Sequence, residues 1–243
     1  MDINYNTHLS YAKNFRQRFL ILHYTAGNYQ NSVAALTSKG GSVSAHYLVP
    51  TLKEIDPTYP ENNIIPFSLV PEELRAWHAG VSAWKNRTNL NDCSIGIENV
   101  NMATDEKFEP YPDKQVEVII WLCNNILSRY PDISPTNVLG HSDIAVGRKI
   151  DPGPLFPWER LYKEGIGAWY NQTDVDRYKQ QFLKEIPTVA NVVSKLHDYG
   201  YRYDGDARHI LSAFQMHFRP TDYSGKLDVE TAAIAYALVD KYI

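Results

Sequence analysis

Short apolar runs separated by polar turns predict several β-strands in the first part of the chain. The segment RFLILHYTAG has a continuous apolar run from Phe19 to Leu22, then His23 and a glycine-containing turn. A run of this length suits a strand covered on both faces, so we expect His23 at a strand end. The other candidates are SVSAHYLV around His46, NIIPFSLV, CSIGIENVN and a brief strand at residues 138–139. Pro66 in the second of these predicts an edge strand or a bulge.

Helical spacing of apolar residues appears in two other parts of the chain. Pro112 and Asp113 open a predicted helix that runs to about Tyr130. After residue 188 the pattern predicts three short helices, TVANVVSKLHDYG, DARHILSAFQMHF and DVETAAIAYALVDKY, the first two closed by Gly200 and Pro220. We therefore predict an α/β fold with a mixed β-sheet flanked by helices over residues 1–165, a linker over 166–187, and a small three-helix C-terminal domain over 188–243.

Composition narrows the classes of function. A chain of 243 residues can bury a core without disulfides or a structural metal. With 24 Lys+Arg against 28 Asp+Glu, and no basic run, nucleic acid is not an expected partner. Cys93 and Cys123 allow only one bridge, which leaves the redox compartment open, and nothing in the sequence orients a base toward Cys93 as a nucleophile. No membrane segment or signal peptide is predicted, so cytosolic and exported locations both stay open, as does the oligomeric state.

Three residues far apart in sequence could form a metal site. The segment VLGHSDIAVGRKIDPGPLFPW places His141, Lys149 and Asp151 close together in a loop that we expect its prolines to keep from becoming helical. A hydrolytic zinc site has three protein ligands and one open position for water. His23, His141 and Asp151 fit this pattern, because strand ends and loops converge at one edge of a sheet. The alternative is two ordinary histidines and an aspartate that caps a turn, and spacing alone leaves both interpretations open.

Two further residues are candidates for catalysis. In SIGIE the alternation of a strand puts Glu98 on the same face as Ser94 and Gly96, so we expect a carboxylate above a floor of small residues that leaves room for substrate. Such a carboxylate could act as general base toward an attacking water. Lys149, in an extended loop, would point the same way as Asp151 and stabilise a developing oxyanion. The alternative for Lys149 is a solvated loop lysine.

Five segments in this order, ILHYTAG, SAHYLVP, RAWHAGVSAW, LNDCSIGIENVN and GHSDIAVGRKIDPGPLFPW, resemble the zinc-dependent N-acetylmuramoyl-L-alanine amidases of the type 2 family. The resemblance spans almost the whole chain and is strongest to a two-domain lipoprotein branch. It implies one zinc per chain on His23, His141 and Asp151, with Glu98 and Lys149 as the catalytic pair. The implied reaction is hydrolysis of the amide between N-acetylmuramic acid and L-alanine in peptidoglycan or muropeptides.

The resemblance also implies a periplasmic or cell-envelope location, although no cysteine that could carry a lipid precedes Cys93. Phage amidases and active animal recognition proteins of this superfamily use a cysteine as third ligand and a tyrosine near the SAHY strand. This chain has Asp151 in the first place and Ala45 or Ser44 in the second. The lipoprotein branch also has aspartate in place of the cysteine ligand, and a glutamate has the catalytic role of the tyrosine.

Two rival functions remain at this stage. A binding protein on the same fold would lack the third ligand, so the presence of Asp151 favours catalysis. A zinc D,D-peptidase resembles a different motif with an H-x-H pair, which this sequence lacks.

Aromatic and polar residues near the motifs are candidates for substrate contacts. Aromatic faces suit sugar rings and peptide stems, so aromatic residues of RAWHAGVSAW are expected to wall the cleft, with core packing as the alternative for Trp84. His46 is either a partner behind the metal ligands or an ordinary strand histidine. The substrate candidates are Trp77, His78, Trp84, Arg87 and Asn91.

The C-terminal segment AFQMHFRPTDYSGKLDVETAAIAYAL resembles the second half of three-helix peptidoglycan-binding domains. Asp228 can cap the last helix and Phe214 can fill the bundle, which would serve any three-helix domain equally well. A role in binding the cell wall is therefore an expectation from resemblance alone.

Overall fold

The computed structural model describes residues 2–5 and 7–243. Its strands are β1 (Phe19–Tyr24), β2 (Tyr47–Val49), β3 (Phe67–Ser68), β4 (Ala83–Trp84), β5 (Arg87–Thr88), β6 (Ser94–Asn99) and β7 (Val138–Gly140). Its helices are α1 (Tyr29–Thr37), α2 (Asp113–Arg129), α3 (His141–Ile144), α4 (Trp158–Lys163), α5 (Gln172–Phe182), α6 (Val189–Tyr199), α7 (Ala207–Phe218) and α8 (Val229–Tyr242). The mixed sheet flanked by helices confirms the predicted fold class.

The main sheet has five strands in the order β3-β2-β6-β1-β7. Strands β2, β6, β1 and β7 are parallel, and β3 pairs antiparallel with β2 at the edge, as the proline before it predicts. The register places His23 of β1 beside Glu98 of β6, and Leu22 beside Gly140, the residue before His141. Since parallel strands end at the same edge, three chemically important positions meet there.

Helix α2 covers the sheet with the face that its sequence pattern predicts. Its buried residues include Val116, Ile119, Cys123 and Ile126, which recur at helical spacing, and the central strands β1 and β6 are buried almost throughout. Burial raises the pKa of the Cys123 thiol to about 12, so this cysteine is an inert part of the core.

The segment predicted as a linker contains the helix α5. Val175, Tyr178 and Phe182 of α5 are buried, and the rings of Tyr178 and Phe182 lie 5.4 Å and 5.0 Å from that of Tyr236 in α8. Within α5 only these three apolar residues interrupt a polar sequence, so its pattern does not predict a helix. Packing against α8 therefore stabilises α5, a helix that its own composition does not predict.

Contacts also join the C-terminal helices to the sheet region. Trp84 is fully buried, with its ring 4.8 Å from that of Tyr201, and its Nε1 donates to the carbonyl of Thr136 at 3.0 Å. The amide of Lys85 donates to the carbonyl of Gly200 at 2.7 Å. The boundary at 165 between two domains therefore stays a prediction, because one continuous apolar core includes residues from both sides of it.

The sequence pattern missed several short elements. These are α1, α4 and the β4–β5 hairpin, together with α3, which makes His141 the first residue of a helical turn rather than part of an irregular loop. The turn forms because the side chain of Asp143 accepts a hydrogen bond from the amide of Gly140 at 2.7 Å, while the prolines lie further along. Within residues 2–5 and 7–243, no helix has the length and apolar character needed to cross a bilayer.

Candidate active site

The ligating atoms of His23, His141 and Asp151 converge at the edge where the parallel strands end. The Nδ1 atoms of the two histidines are 3.1 Å apart, and Oδ2 of Asp151 lies 2.9 Å from Nδ1 of His23 and 3.1 Å from that of His141. All three side chains are buried. Ligands at tetrahedral angles around zinc, with bonds of about 2.0–2.1 Å, would be about 3.3 Å apart. The observed triangle is close to that spacing, so these residues fit a small divalent metal ion.

The protonation of these groups also suits a metal. Burial lowers the pKa of His23 to about 4, despite the raising effect of its contact with Asp151. Burial alone would raise the pKa of Asp151, but the neighbouring His141 and His23 hold it below its ordinary value. A neutral imidazole and an ionised carboxylate are the forms that ligate metals. The site therefore needs no protonation change near neutral pH at these two residues to accept a cation.

Beside the ligands lies a cavity of about 630 Å³ whose lining includes Glu98, Lys149, Asp151, Tyr24, Thr25 and Trp77. Among the described residues, Oε2 of Glu98 has no hydrogen-bond partner. Burial and the negative charge of Asp151 raise the pKa of Glu98 well above its usual value, and Lys149 partly opposes the shift. A carboxyl group with a raised pKa, open to a cavity, is suited to take up and return a proton.

Lys149 lies in the segment between the candidate ligands His141 and Asp151. Its side chain is exposed and lines the same cavity as Glu98, and its amide donates to the carbonyl of Ala145 at 3.0 Å. The neighbouring Arg148, which the sequence analysis did not single out, also lines the cavity and donates to the carbonyls of Ala79 and Val81. The only available signal for it was its place between two motif residues.

The floor of small residues beneath Glu98 has a different purpose from the one expected. A Cβ built on Gly96 would lie 2.5 Å from Cγ of His78, so the imidazole of His78, rather than substrate, occupies that space. The pKa of His78 is well below its ordinary value, first through burial and then through the neighbouring histidines. The expectation of substrate room above Gly96 was therefore wrong, although Glu98 itself does face the cavity.

The candidate substrate residues divide into two groups. Trp77 is 54% exposed and lines the cavity, with the Arg75 guanidinium 3.9 Å from its ring centre. His78 also borders the cavity but lies beneath it, with its Nδ1 3.0 Å from Nε2 of His23. Trp84 belongs to the core, as its alternative interpretation held.

The other two candidates, Arg87 and Asn91, do not line this cavity as the structure describes it. Arg87 is exposed on β5, whereas the buried side chain of Asn91 binds backbone amides.

The contacts and burial of His46 and Cys93 show that neither belongs to the candidate site. His46 is buried, and its Nδ1 accepts from the amide of Gly96 at 3.0 Å, so it braces a strand of the sheet rather than touching a ligand. Cys93 is free and partly buried, and burial raises its pKa, which is the opposite of what a cysteine nucleophile requires.

Comparison with known proteins extends these findings. The family model described as N-acetylmuramoyl-L-alanine amidase matches residues 13–154, a range that contains all five candidate metal and catalytic residues. The chain is 44% identical over 238 residues to N-acetylmuramoyl-L-alanine amidase AmiD of Escherichia coli strain K12, covering 93% of this chain and 84% of AmiD.

Two solved structures resemble the whole fold. The crystal structure of AmpDh3 from Pseudomonas aeruginosa has a TM-score of 0.94 and 50% identity, covering 100% of this chain and 99% of the other. The complex of Escherichia coli AmiD with anhydro-N-acetylmuramic acid-L-Ala-D-gamma-Glu-L-Lys has a TM-score of 0.86 and 42% identity, covering 97% of this chain and 93% of that one. Both alignments extend through the C-terminal helices.

Proposed function

The chain belongs to the N-acetylmuramoyl-L-alanine amidase family and is an enzyme that hydrolyses the amide between N-acetylmuramic acid and L-alanine, and we propose that it does so at the His23, His141 and Asp151 site with one zinc ion. The observation that carries the proposal is the convergence of three buried ligand atoms beside an open cavity. A zinc ion held there would supply a Lewis acid, able to polarise the carbonyl and to lower the pKa of water. The remaining steps belong to the protein's own side chains.

Glu98 is the proposed general base and acid. Its ionised carboxylate takes a proton from the attacking water, whose oxygen forms the new bond to the lactyl carbonyl carbon. The same carboxyl then returns that proton to the nitrogen of L-alanine as the carbon–nitrogen bond breaks. The raised pKa of Glu98 supports the first step, because it makes the ionised carboxylate a stronger base than an ordinary glutamate.

Lys149 is the proposed partner for the negative charge that develops on the carbonyl oxygen. Its position on the wall of the same cavity as Glu98 supports this role. Loss of one oxyanion-hole donor costs about 2.7–4 kcal/mol of transition-state stabilisation, which corresponds to roughly a hundred- to a thousandfold in kcat. If Lys149 were only a solvated lysine, its removal would not lower kcat by a comparable factor.

Substitution of these two residues tests the mechanism. Glu98→Gln and Lys149→Ala should keep the fold and the bound zinc, but lose roughly a hundredfold or more in kcat with a smaller change in KM. Lys149→Arg should recover little, because a planar guanidinium does not place its charge and donors as a compact ammonium does. The assay is chromatographic cleavage of a muramoyl peptide with zinc measured in every sample. Near-wild-type kcat for folded, zinc-loaded Glu98→Gln would exclude Glu98 as the base.

The proposed substrates include soluble anhydromuramyl peptides. The relatives that resemble this chain over almost its whole length include AmpDh3 in complex with anhydromuramic pentapeptide and AmiD with an anhydromuramyl tripeptide. We also propose that the enzyme works on cell-wall material in the bacterial envelope. Mass spectrometry of products from purified sacculi and from anhydromuropeptides would separate the two substrate classes. If the enzyme cleaved neither substrate, the proposal would be refuted.

We further propose that the C-terminal helices contribute to binding polymeric peptidoglycan. A second cavity of about 670 Å³ lies between α4 and these helices, and its lining combines aromatic and charged side chains, among them Trp158, Arg160, Tyr170 and Arg219. Aromatic faces beside polar groups suit sugar rings. Tyr170→Ala should weaken co-sedimentation with sacculi severalfold, whereas the control Trp121→Ala, an exposed aromatic on α2, should not. Equal sedimentation of both variants and wild type would remove Tyr170 from this role.

A further inference from the structure

One short segment touches the outer nitrogen of both histidine ligands. Nε2 of His23 lies 3.0 Å from Nδ1 of His78, and Nε2 of His141 lies 3.0 Å from the carbonyl oxygen of the next residue, Ala79. In both ligands the nitrogen that faces Asp151 is Nδ1. We propose that this segment sets the tautomer and the orientation of both histidines, with His78 as a positioning residue for the metal. The inference rests on the proposed zinc site and adds to it.

The tautomer of His141 follows from its surroundings. The carbonyl of Ala79 can only accept a hydrogen bond, so Nε2 of His141 must carry the hydrogen. Arg148 does not change this assignment, although its Nη2 lies 3.3 Å from that nitrogen, because its two hydrogens are directed to the carbonyls of Ala79 and Val81 at 2.9 Å and 2.7 Å. Nδ1 of His141 is therefore left with a free lone pair.

The tautomer of His23 follows from a longer chain of hydrogen bonds. The hydroxyl of Ser94 donates to the carbonyl of Leu90 at 2.6 Å, so its oxygen accepts from Nε2–H of His78 at 3.1 Å. Nδ1 of His78 is then an acceptor, and Nε2 of His23 is the donor to it. Nδ1 of His23 is thereby also left with a free lone pair. A backbone carbonyl four residues before Ser94 thus determines which nitrogen of His23 can bind a metal.

These assignments leave three acceptors facing one another. The two bare Nδ1 atoms and Oδ2 of Asp151 lie within 3.1 Å of each other, with no donor hydrogen between them. Such an arrangement is repulsive unless a cation lies among the three atoms. Because the outer nitrogens are already bonded, the rings do not have to reorient when the metal binds, and partners of this kind change metal affinity by about 10–100-fold.

The segment is itself held in place at two points. Oδ1 of Asn91 accepts from the amides of His78 and Ala79 at 3.0 Å and 2.7 Å. The imidazole of His78 lies directly on Gly96, where any side chain would displace it. Asn91, predicted as a substrate residue, therefore acts through the backbone behind the site, and Gly96 provides the space that the ring requires.

The test measures zinc affinity by chelator competition. In His78→Leu the affinity should fall about 10–100-fold, and His78→Asn, whose Oδ1 can replace Nδ1 as acceptor, should recover part of it. His197→Leu, the same change in α6 at a histidine that binds the carbonyl of Tyr203, is the matched control and should leave the affinity unchanged. If His78→Leu fails to fold, the smaller substitution Ser94→Ala tests the same chain of hydrogen bonds. It should lower the zinc affinity severalfold. Wild-type affinity in folded His78→Leu or Ser94→Ala would overturn the inference.

Nitrogen-15 NMR of the zinc-loaded wild type gives a second measurement that a purely structural role would not affect. His78 should carry its hydrogen on Nε2, and the two ligands should show Nε2–H with zinc on Nδ1. A hydrogen on Nδ1 of His78 would overturn the proposed chain of hydrogen bonds. Absence of zinc from wild type would refute the metal site itself, whereas a zinc affinity that does not depend on His78 would refute only the positioning role.

Discussion

Asp143 connects the helical turn of His141, a proposed metal ligand, to the C-terminal helices, so its removal should weaken both. Its carboxylate is almost fully buried and accepts three hydrogen bonds. Oδ2 accepts from the amide of Gly140 at 2.7 Å and from Nδ1 of His217 at 2.7 Å, and Oδ1 accepts from the hydroxyl of Tyr201 at 2.6 Å. Since α3 begins at His141, the same carboxylate fixes the start of the ligand's helix and receives two donors from the C-terminal region.

The expected magnitudes follow from these contacts. A hydrogen bond to a charged group contributes about 1.5–3 kcal/mol, so Tyr201→Phe, which keeps the ring against Trp84, should lower the free energy of unfolding by that amount. Asp143→Asn replaces an acceptor by a donor opposite buried donors. Removal of one partner from a buried charged network costs about 3–5 kcal/mol, and we expect a loss in this range.

Urea unfolding followed by tryptophan fluorescence and circular dichroism, with and without zinc, provides the measurement. Tyr223→Phe is a matched control, because Tyr223 is 41% exposed and such surface substitutions change stability by about 0.5 kcal/mol or less. Asp143→Asn should also weaken zinc binding, since it loosens the turn that carries His141. A loss below about 0.5 kcal/mol for Tyr201→Phe, the same as for the control, would refute the proposed contribution of this contact.

The same geometry changes what truncation should do. If the C-terminal helices served only to bind the cell wall, their removal would abolish wall binding and spare the chemistry. In the structure, Tyr201 covers Trp84 and both C-terminal donors to Asp143 come from the segment that would be removed. A truncated chain should therefore also lose stability and zinc affinity, which is why single substitutions are the better test of binding.

Two other expected outcomes concern the metal and the acid stability of the fold. Asp151→Ala should lose most of the zinc that wild type retains on metal analysis, and equal zinc in both would contradict the ligand assignment. Burial alone would raise the pKa of Glu72, but hydrogen bonds, first of all from Arg129, hold it below its ordinary value. Its contribution to stability is therefore complete above that value and is lost as the pH falls through the lower folded-state pKa, so Glu72→Gln should be destabilised by about 1–3 kcal/mol at pH 7 and by progressively less in acid. A constant difference from pH 7 to pH 3 would contradict this assignment.

Elements with strong local patterns could be predicted, whereas those stabilised by distant contacts could not. Strand β1 is buried on both faces and therefore has a continuous apolar run in the sequence. Helix α2 is buried on one face and therefore has apolar residues at helical spacing. Helix α5 has little such trace and depends on α8. Helix α3 has a single turn, and its capping carboxylate receives donors 58 and 74 residues away.

The candidate metal and catalytic residues could be predicted from the sequence, but the residues that hold them in place could not. Parallel strand ends bring His23 and Glu98 side by side, so residue type and position were enough to propose their chemistry. The same reasoning assigned His78 and Asn91 to the substrate cleft, because aromatic and amide groups near a motif resemble a binding wall. Alternation along β6 showed which face Gly96 occupies, but it could not show that a ring from residue 78 fills the space above it.

The two histidines of the proposed metal site depend on different parts of the chain for their orientation. His23 is fixed by β1 and by the ring of His78, both from the first part of the sequence. His141 is bonded to the carbonyl of Ala79 and also begins the turn that Asp143 caps, so it depends in addition on two donors from the C-terminal region. A metal that binds both rings therefore links these regions energetically, since distortion of either ring weakens the same set of bonds. The C-terminal helices thus contribute to the site without supplying a ligand to it.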